Sequence, residues 1–405
     1  MGTSRLLLAL GASLVLLAAS CSSSPGPPTD AARTGAVAGG ATAPGATEQP
    51  NPHQTTTQRP EPRHTAVALR SGESVKRVTM SAPYTPAAPH GGTDDYRCFL
   101  LDPVLASDSF VTGYDVFPGD PSVVHHVILF RVPPDRLALA RAEDQGTPGD
   151  GWTCFGGTGI ERQGASLDDA PWLGAWAPGG AERVLAPDLG IPLQRGSQIV
   201  LQIHYNLLAG AKPDRTAVDL RLSTSPRLTA LETVLYPAPV ELPCRAGKSG
   251  PLCDRDTAIL DVARRFGAGA ARTVPGLQLI CTGGFVPSPG PTQSCTRKVS
   301  TAGVIRSAAG HMHLLGSRLR IELNAGRPGA KTLLDIPTWD FDDQGARTVP
   351  ATRVRPGDTI TVTCTHDQAW RDRIPALKGI PERYVVWGDG TTDEMCLGIL
   401  GVTRG

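Results

Sequence analysis

The chain is expected to be all-β, built as two antiparallel β-sandwich domains that meet near residues 225–240. Three observations carry this expectation. The 405 residues include 46 Gly and 37 Pro but only 5% aromatics, a balance that suits a turn-rich β protein with an unstructured portion. Short runs alternate apolar and polar residues, most cleanly in "SQIVLQIHYNLL" (197–208). There Ile199, Leu201, Ile203 and Tyr205 share one face, and Val200, Gln202, His204 and Asn206 share the other. Turn residues separate such runs, and a single stretch, "TAILDVARRF" (257–266), reads as a helix, capped by Asp256 or Thr257 and stopped by Gly267.

Length and charge bound the function. The chain is long enough for two or more well-buried cores. Lys+Arg 39 against Asp+Glu 38 leaves a formal net charge of +1, so neither a nucleic-acid footprint nor an acidic tail is present. Residues 1–20 are expected to be a targeting segment, with Arg5 ahead of the apolar "LLLALGASLVLLAA". That run is about 14 residues, short for a bilayer-spanning helix. Small residues immediately before Cys21 resemble a bacterial lipobox, although Ala18 stands where Leu is more usual; a plain cleaved signal peptide is the alternative. Lipidation of Cys21 implies a tethered protein on the extracytoplasmic face of the cell membrane. Residues 21–78, rich in Pro, Thr, Gly and Ala, bury too little apolar area to offset backbone entropy and are expected to be a disordered spacer.

The sandwich domains are then expected over 79–228 and 229–405. Strands are read at "VVHHVILFRV" (123–132), 197–208 and "VDLRLSTS" (218–225), and later at "GLQLICTG", "GHMHLLGSRLRIEL", "DTITVTC" and "EMCLGILGV". Without Cys21, eight cysteines remain, an even number that suits four bridges in an oxidising compartment, with 105 pairings open. No CxxC occurs, which argues against thiolate zinc sites and thioredoxin-like chemistry. "AGKSG" (246–250) lacks the first Gly and the strand-to-helix context of a phosphate loop, and no GxSxG or HExxH is present.

Histidines carry the chemistry. Five fall in strands: His125, His126, His204, His311 and His313. A lone strand histidine is ordinarily a hydrogen-bonded core residue. Five, arranged as HH and HxH, ask for more, because each buried imidazole has two nitrogens to satisfy at about 1–3 kcal/mol per unmade bond. Metal coordination satisfies one nitrogen and leaves the other for a carbonyl or carboxylate. His311 and His313, two apart on a strand, project from one face and reach one ion. His125 and His126 are adjacent, so both serve one ion only at a twist, bulge or strand end, and His204 completes such a site. Met395, in "WGDGTTDEMCLGIL" (387–400), reads alone as a core residue; beside two histidines its thioether favours copper over zinc.

Taken together, "HHVILF", "GAWAPGG", "LQIHYN", "GHMHLLG" and "TTDEMC" resemble, in order and spacing, the copper type II ascorbate-dependent monooxygenases, the family of peptidylglycine α-hydroxylating monooxygenase and dopamine β-hydroxylase. The resemblance covers roughly residues 95 to 403. It implies jelly-roll-like sandwiches with a wet cleft between them and two copper ions per chain. His125, His126 and His204 would hold an electron-storing copper. His311, His313 and Met395 would hold the catalytic one, where O2 and a reductant such as ascorbate hydroxylate a C–H bond. Gln202 and Tyr205 also match. Cys98–Cys154 and Cys364–Cys396 resemble family bridges, and closeness in sequence pairs Cys244–Cys253 and Cys281–Cys295.

Three positions depart from the peptide-amidating branch. Residues that hold a peptide carboxylate there read Ala309, Leu397 and Ile399 here, so a neutral or more apolar small-molecule substrate is expected. The leading expectation is a lipid-anchored copper monooxygenase. A copper-binding lipoprotein without catalysis, a three-histidine zinc hydrolase and a purely structural sandwich are the alternatives.

Overall fold

The computed structural model describes residues 67–89, 92–160, 171–177, 180–208, 210–341 and 343–404. Cys21, the leader, most of the spacer and His53, His64 and His90 lie outside the described residues. The protein is an all-β sandwich of antiparallel sheets. The described residues all belong to one compact unit.

In the first half, a five-stranded sheet runs in the order Trp152–Thr153, Asp94–Leu101, Gln198–Asn206, Val124–Val132, Trp172–Trp176. It faces the strands Glu73–Thr79, Ala217–Ser223, Ser109–Phe117 and Leu189–Leu193 of a second sheet. Ile199, Leu201, Ile203 and Tyr205 turn inward to meet Val111, Val116, Val218 and Leu220, so the alternation of this strand sets its buried face. In the second half, Thr229–Pro237, Leu397–Thr403, Gly303–His311 and Arg347–Val354 face a four-stranded sheet ordered Thr292–Lys298, Thr359–His366, Gly316–Leu323, Lys331–Ile336. Ile305, Ala308, Leu319, Ile321, Ile360, Val362 and Leu400 fill the space between them. A short parallel pairing of Thr229 with Leu189 and Ala230 with Gly190 makes one sheet continuous through both halves.

Four disulfides close Cys98–Cys154, Cys244–Cys253, Cys281–Cys295 and Cys364–Cys396. Three elements differ from expectation. The spacer gives way early, because Glu73–Thr79 is already a strand, paired along its length with Ala217–Ser223. The helix is longer: it runs Arg255–Thr282 from an Asp254 cap whose carboxylate accepts from Thr257 N at 2.8 Å. Gly267, at φ 86°, breaks it without ending it. "GLQLICTG" is therefore the last turns of a helix, not a strand. Val274, Leu277 and Gln278 bury one stripe while Leu279 and Ile280 stay exposed, which is helical spacing rather than alternation. "GHMHLLGSRLRIEL" is likewise two strands, with a turn at residues 312–315.

Candidate metal centre

His125, His126 and His204 come from neighbouring strands of the five-stranded sheet. His126 lies directly across from His204, and the register slips between Val124 and His126. His125 is thus the extra residue of a β-bulge. That resolves the difficulty of two adjacent histidines: a bulge turns both rings to one side. The three Nδ1 atoms stand 3.0, 3.2 and 3.4 Å apart. A point about 2 Å from all three exists just off the plane of that triangle, matching the roughly 2.0–2.1 Å metal–imidazole bond. The group is buried, and its ligand atoms fit one metal ion.

Hydrogen bonding shows why these nitrogens face one another. His204 Nε2 donates to Asp94 Oδ1 at 2.9 Å, which leaves a lone pair on Nδ1. Asp94 also accepts from Thr391 N at 3.1 Å and Thr391 Oγ1 at 2.5 Å, so the second half of the molecule helps hold a histidine of the first. Burial would raise the Asp94 carboxyl, but its bond to His204, the nearby imidazole and the two Thr391 donors hold it well below the usual carboxylate range. Three neutral imidazoles sharing one corner cannot all donate and accept among themselves, and a cation satisfies all three at once. Tyr96 stacks on His204 with ring centroids 4.1 Å apart, and Phe341 stacks on His125 at 4.4 Å. Burial, then the neighbouring imidazoles, push His125 and His126 well below the ordinary histidine value.

The HxH pair is arranged through its other nitrogens. His311 ends the strand Gly303–His311 and His313 lies in the turn that follows, so the two do not project from one strand as expected. Their rings nevertheless meet at 5.2 Å. Just before His311, Gly310 lets Leu319 pack against the strand: a Cβ there would lie 2.5 Å from Leu319 Cδ1. Gln344 Nε2 donates to Phe341 O at 2.8 Å, so its Oε1 accepts from His311 Nδ1 at 2.6 Å. His313 Nδ1 faces Asp393 O at 3.3 Å. Both Nδ1 atoms carry the proton, and both Nε2 atoms keep a lone pair; His313 Nε2 is buried with no partner among the described residues. Burial, reinforced by His313 and opposed by the Gln344 bond, pushes His311 down to about 3. His313 is lowered as well, chiefly by burial.

Met395 precedes the strand Leu397–Thr403, which pairs antiparallel with Gly303–His311 and sets Leu397 opposite His311. Met395, His311 and His126 line one cavity of about 590 Å³, a size that suits a small organic ligand. Residues of both halves form its walls, among them Tyr96, Trp176 and Gln202 from the first and Phe266, Leu397 and Ile399 from the second. The two histidine groups do not stand apart across it, because the His126 and His311 rings meet edge to face at 5.6 Å.

Four polar residues were missed by the sequence reading: Asp94, Gln344, Glu394 and Asp389. Asp94 left a signal, as an acid inside a buried strand. Asp389 lines the cavity; its backbone carbonyl accepts from Tyr96 Oη at 2.6 Å, while its carboxyl makes no hydrogen bond or ion pair among the described residues. Burial and then the Asp393 charge, opposed by Arg265, push it up to about 7.

No family model matches the chain, and no curated protein does. Solved structures similar over much of its length include an allantoicase, at 12% identity and a TM-score of 0.16, covering 79% of this chain and 90% of that one. A Paenibacillus xanthan lyase follows, at 11% identity and a TM-score of 0.19, covering 81% of this chain and 25% of that one. Likenesses this low carry no argument about activity.

Proposed function

We propose that the protein is an extracytoplasmic, lipid-anchored, copper-dependent monooxygenase that hydroxylates a C–H bond of a small, largely apolar organic molecule. One observation carries the reading: the Nδ1 atoms of His125, His126 and His204 converge, with Asp94 on the far nitrogen of His204, whereas His311 and His313 face Gln344 Oε1 and Asp393 O through Nδ1 and keep the lone pair on Nε2. Side chains serving only a core would not be sorted this way. Met395 in the same cavity adds a soft donor to the Nε2 set, and two imidazoles with a thioether favour copper. The four disulfides support an oxidising compartment.

Copper bound at these groups would supply the one-electron chemistry with O2 and a reductant. The chain's own part is placement. Gln344 and Asp393 O hold the HxH rings with Nε2 turned outward, and Asp94 does the same for Nδ1 of His204. Leu397 and Ile399 give the cavity an apolar wall where a carboxylate clamp would otherwise sit. Tyr96, Trp176 and Phe266 supply the aromatic part of the wall of the cavity that His311 lines.

The test is ascorbate-dependent O2 consumption and hydroxylated product over a panel of small organic compounds, using copper-loaded protein. Turnover lost on Met395→Ala supports the reading. Two tightly held coppers with no product from any compound would favour the non-catalytic copper-binding alternative. Full metal loading and activity after Met395→Ala would favour a three-histidine zinc hydrolase.

A further inference from the structure

We propose that Glu394 and His366 form a positioning pair that fixes Met395 against the His311–His313 turn, and that metal binding by the HxH–Met group depends on them. The proposal rests on the copper reading above and assigns a role to a histidine that the ligand set leaves unused.

Glu394 is fully buried, and both its oxygens serve the backbone that carries the two histidines. Oε1 accepts from Leu315 N at 2.6 Å and Oε2 from His313 N at 3.0 Å. These amides follow the end of a strand, where ladder bonding stops and buried N–H groups need another acceptor. A carboxylate meets that need with charge-assisted bonds, roughly twice as strong as neutral ones. Glu394 immediately precedes Met395. The group that closes the HxH turn therefore also sets the backbone from which the thioether departs.

His366 ends the strand Thr359–His366 and approaches from the other side. Its Nε2 lies 3.3 Å from Glu394 Oε2 and 3.4 Å from Met395 O, and a nitrogen facing two oxygens carries the proton. Its Nδ1 is buried without a partner among the described residues. An unsatisfied nitrogen costs about 1–3 kcal/mol, so an apolar residue would be the more stable filling if packing alone mattered. The Nε2 contacts account for an imidazole at this place. Cys364–Cys396 ties the same two segments together, two residues before His366 and one after Met395. Three links thus converge on one methionine. Glu394 and His366 act through the ligands, as positioning residues.

The full chain, loaded anaerobically with Cu(I), provides the test through copper per chain and sulfur scattering in X-ray absorption. Glu394→Gln sets an amide NH2 against a backbone N–H. It is expected to lower copper from two per chain to one and abolish the Cu–S signal, leaving the three-histidine copper unchanged. His366→Phe keeps both amide bonds and is expected to weaken the second copper about tenfold, the lower end for loss of an outer partner. If Glu394→Gln does not fold, His366→Phe decides. Variants that melt earlier yet hold two coppers within twofold of wild-type affinity, Cu–S intact, would make the pair merely structural and overturn the proposal. A wild-type chain without a second copper or a Cu–S bond would instead overturn the copper reading beneath it.

Discussion

The three-histidine group and the His311–His313 pair sit side by side, yet they are built differently. In the first, three Nδ1 atoms already converge to within 3.4 Å, and His204 is completely buried between Tyr96 and its Asp94 bond. In the second, His311 and Met395 line the cavity that His126 of the first group also borders, His313 is fully enclosed, and the rings are held through Nδ1 by Gln344 and Asp393 O. The contrast is one of construction: the first group converges through Nδ1, and the second keeps its lone pairs on Nε2.

Four changes separate the two groups. The largest effect on metal binding belongs to His204→Ala, which removes one imidazole and leaves the buried Asp94 with its Thr391 and Thr93 donors alone. Affinity for the first metal should fall by a hundredfold or more, beyond the roughly 10–100-fold typical of outer-shell changes, while the second metal still binds. Competitive copper titration checks this, and equal loss at both groups would show that they are one site.

Asp389→Asn addresses the cavity wall. The wild-type carboxyl, pushed up to about 7, holds its proton in the folded chain at pH values where an unfolded aspartate has lost it. Folded protein then binds more protons than unfolded between about pH 4 and 7, so stability falls as pH rises through that window, by up to about 4 kcal/mol. The asparagine variant should lack this decline and be the more stable form at pH 8, with little difference at pH 4. Urea unfolding at the two pH values measures it, and parallel pH profiles would contradict the burial assigned to this group.

Gln344→Leu is subtler. It removes the acceptor from His311 Nδ1 and frees the ring to present either nitrogen. A loss of about 10–100-fold in affinity at the second group alone is expected from copper titration. The smallest effect is expected of Leu397→Val, which trims the cavity wall by about one methylene. It should cost about 1 kcal/mol in unfolding free energy and leave copper content unchanged.

Much of this architecture was legible in the sequence because it is local. The alternation of residues 199–205 announced which face is buried, and HH and HY announced the three histidines that come together. Other features depend on the far side of the chain. The bulge at His125 exists only in register with Tyr205 and His204 of another strand, and nothing in "VVHHVILF" specifies it. Gln344 and Asp94 reach their histidines across 33 and 110 residues, so no spacing rule finds them. "GLQLICTG" misled because Leu, Ile and Cys fit a strand as well as a helix over eight residues, and what decided was burial of Val274, Leu277 and Gln278 against the second core. The two groups also lie closer than the family resemblance implied, and only the folded chain brings His126 to His311.

Long-range proton–nitrogen correlation on the diamagnetic Cu(I)-loaded protein reads, ring by ring, which histidine nitrogen is bound. Nδ1 is expected for His125, His126 and His204, and Nε2 for His311 and His313. Five histidines bound through the same nitrogen, or HxH rings that do not respond to the metal at all, would contradict the division into two oppositely oriented sets.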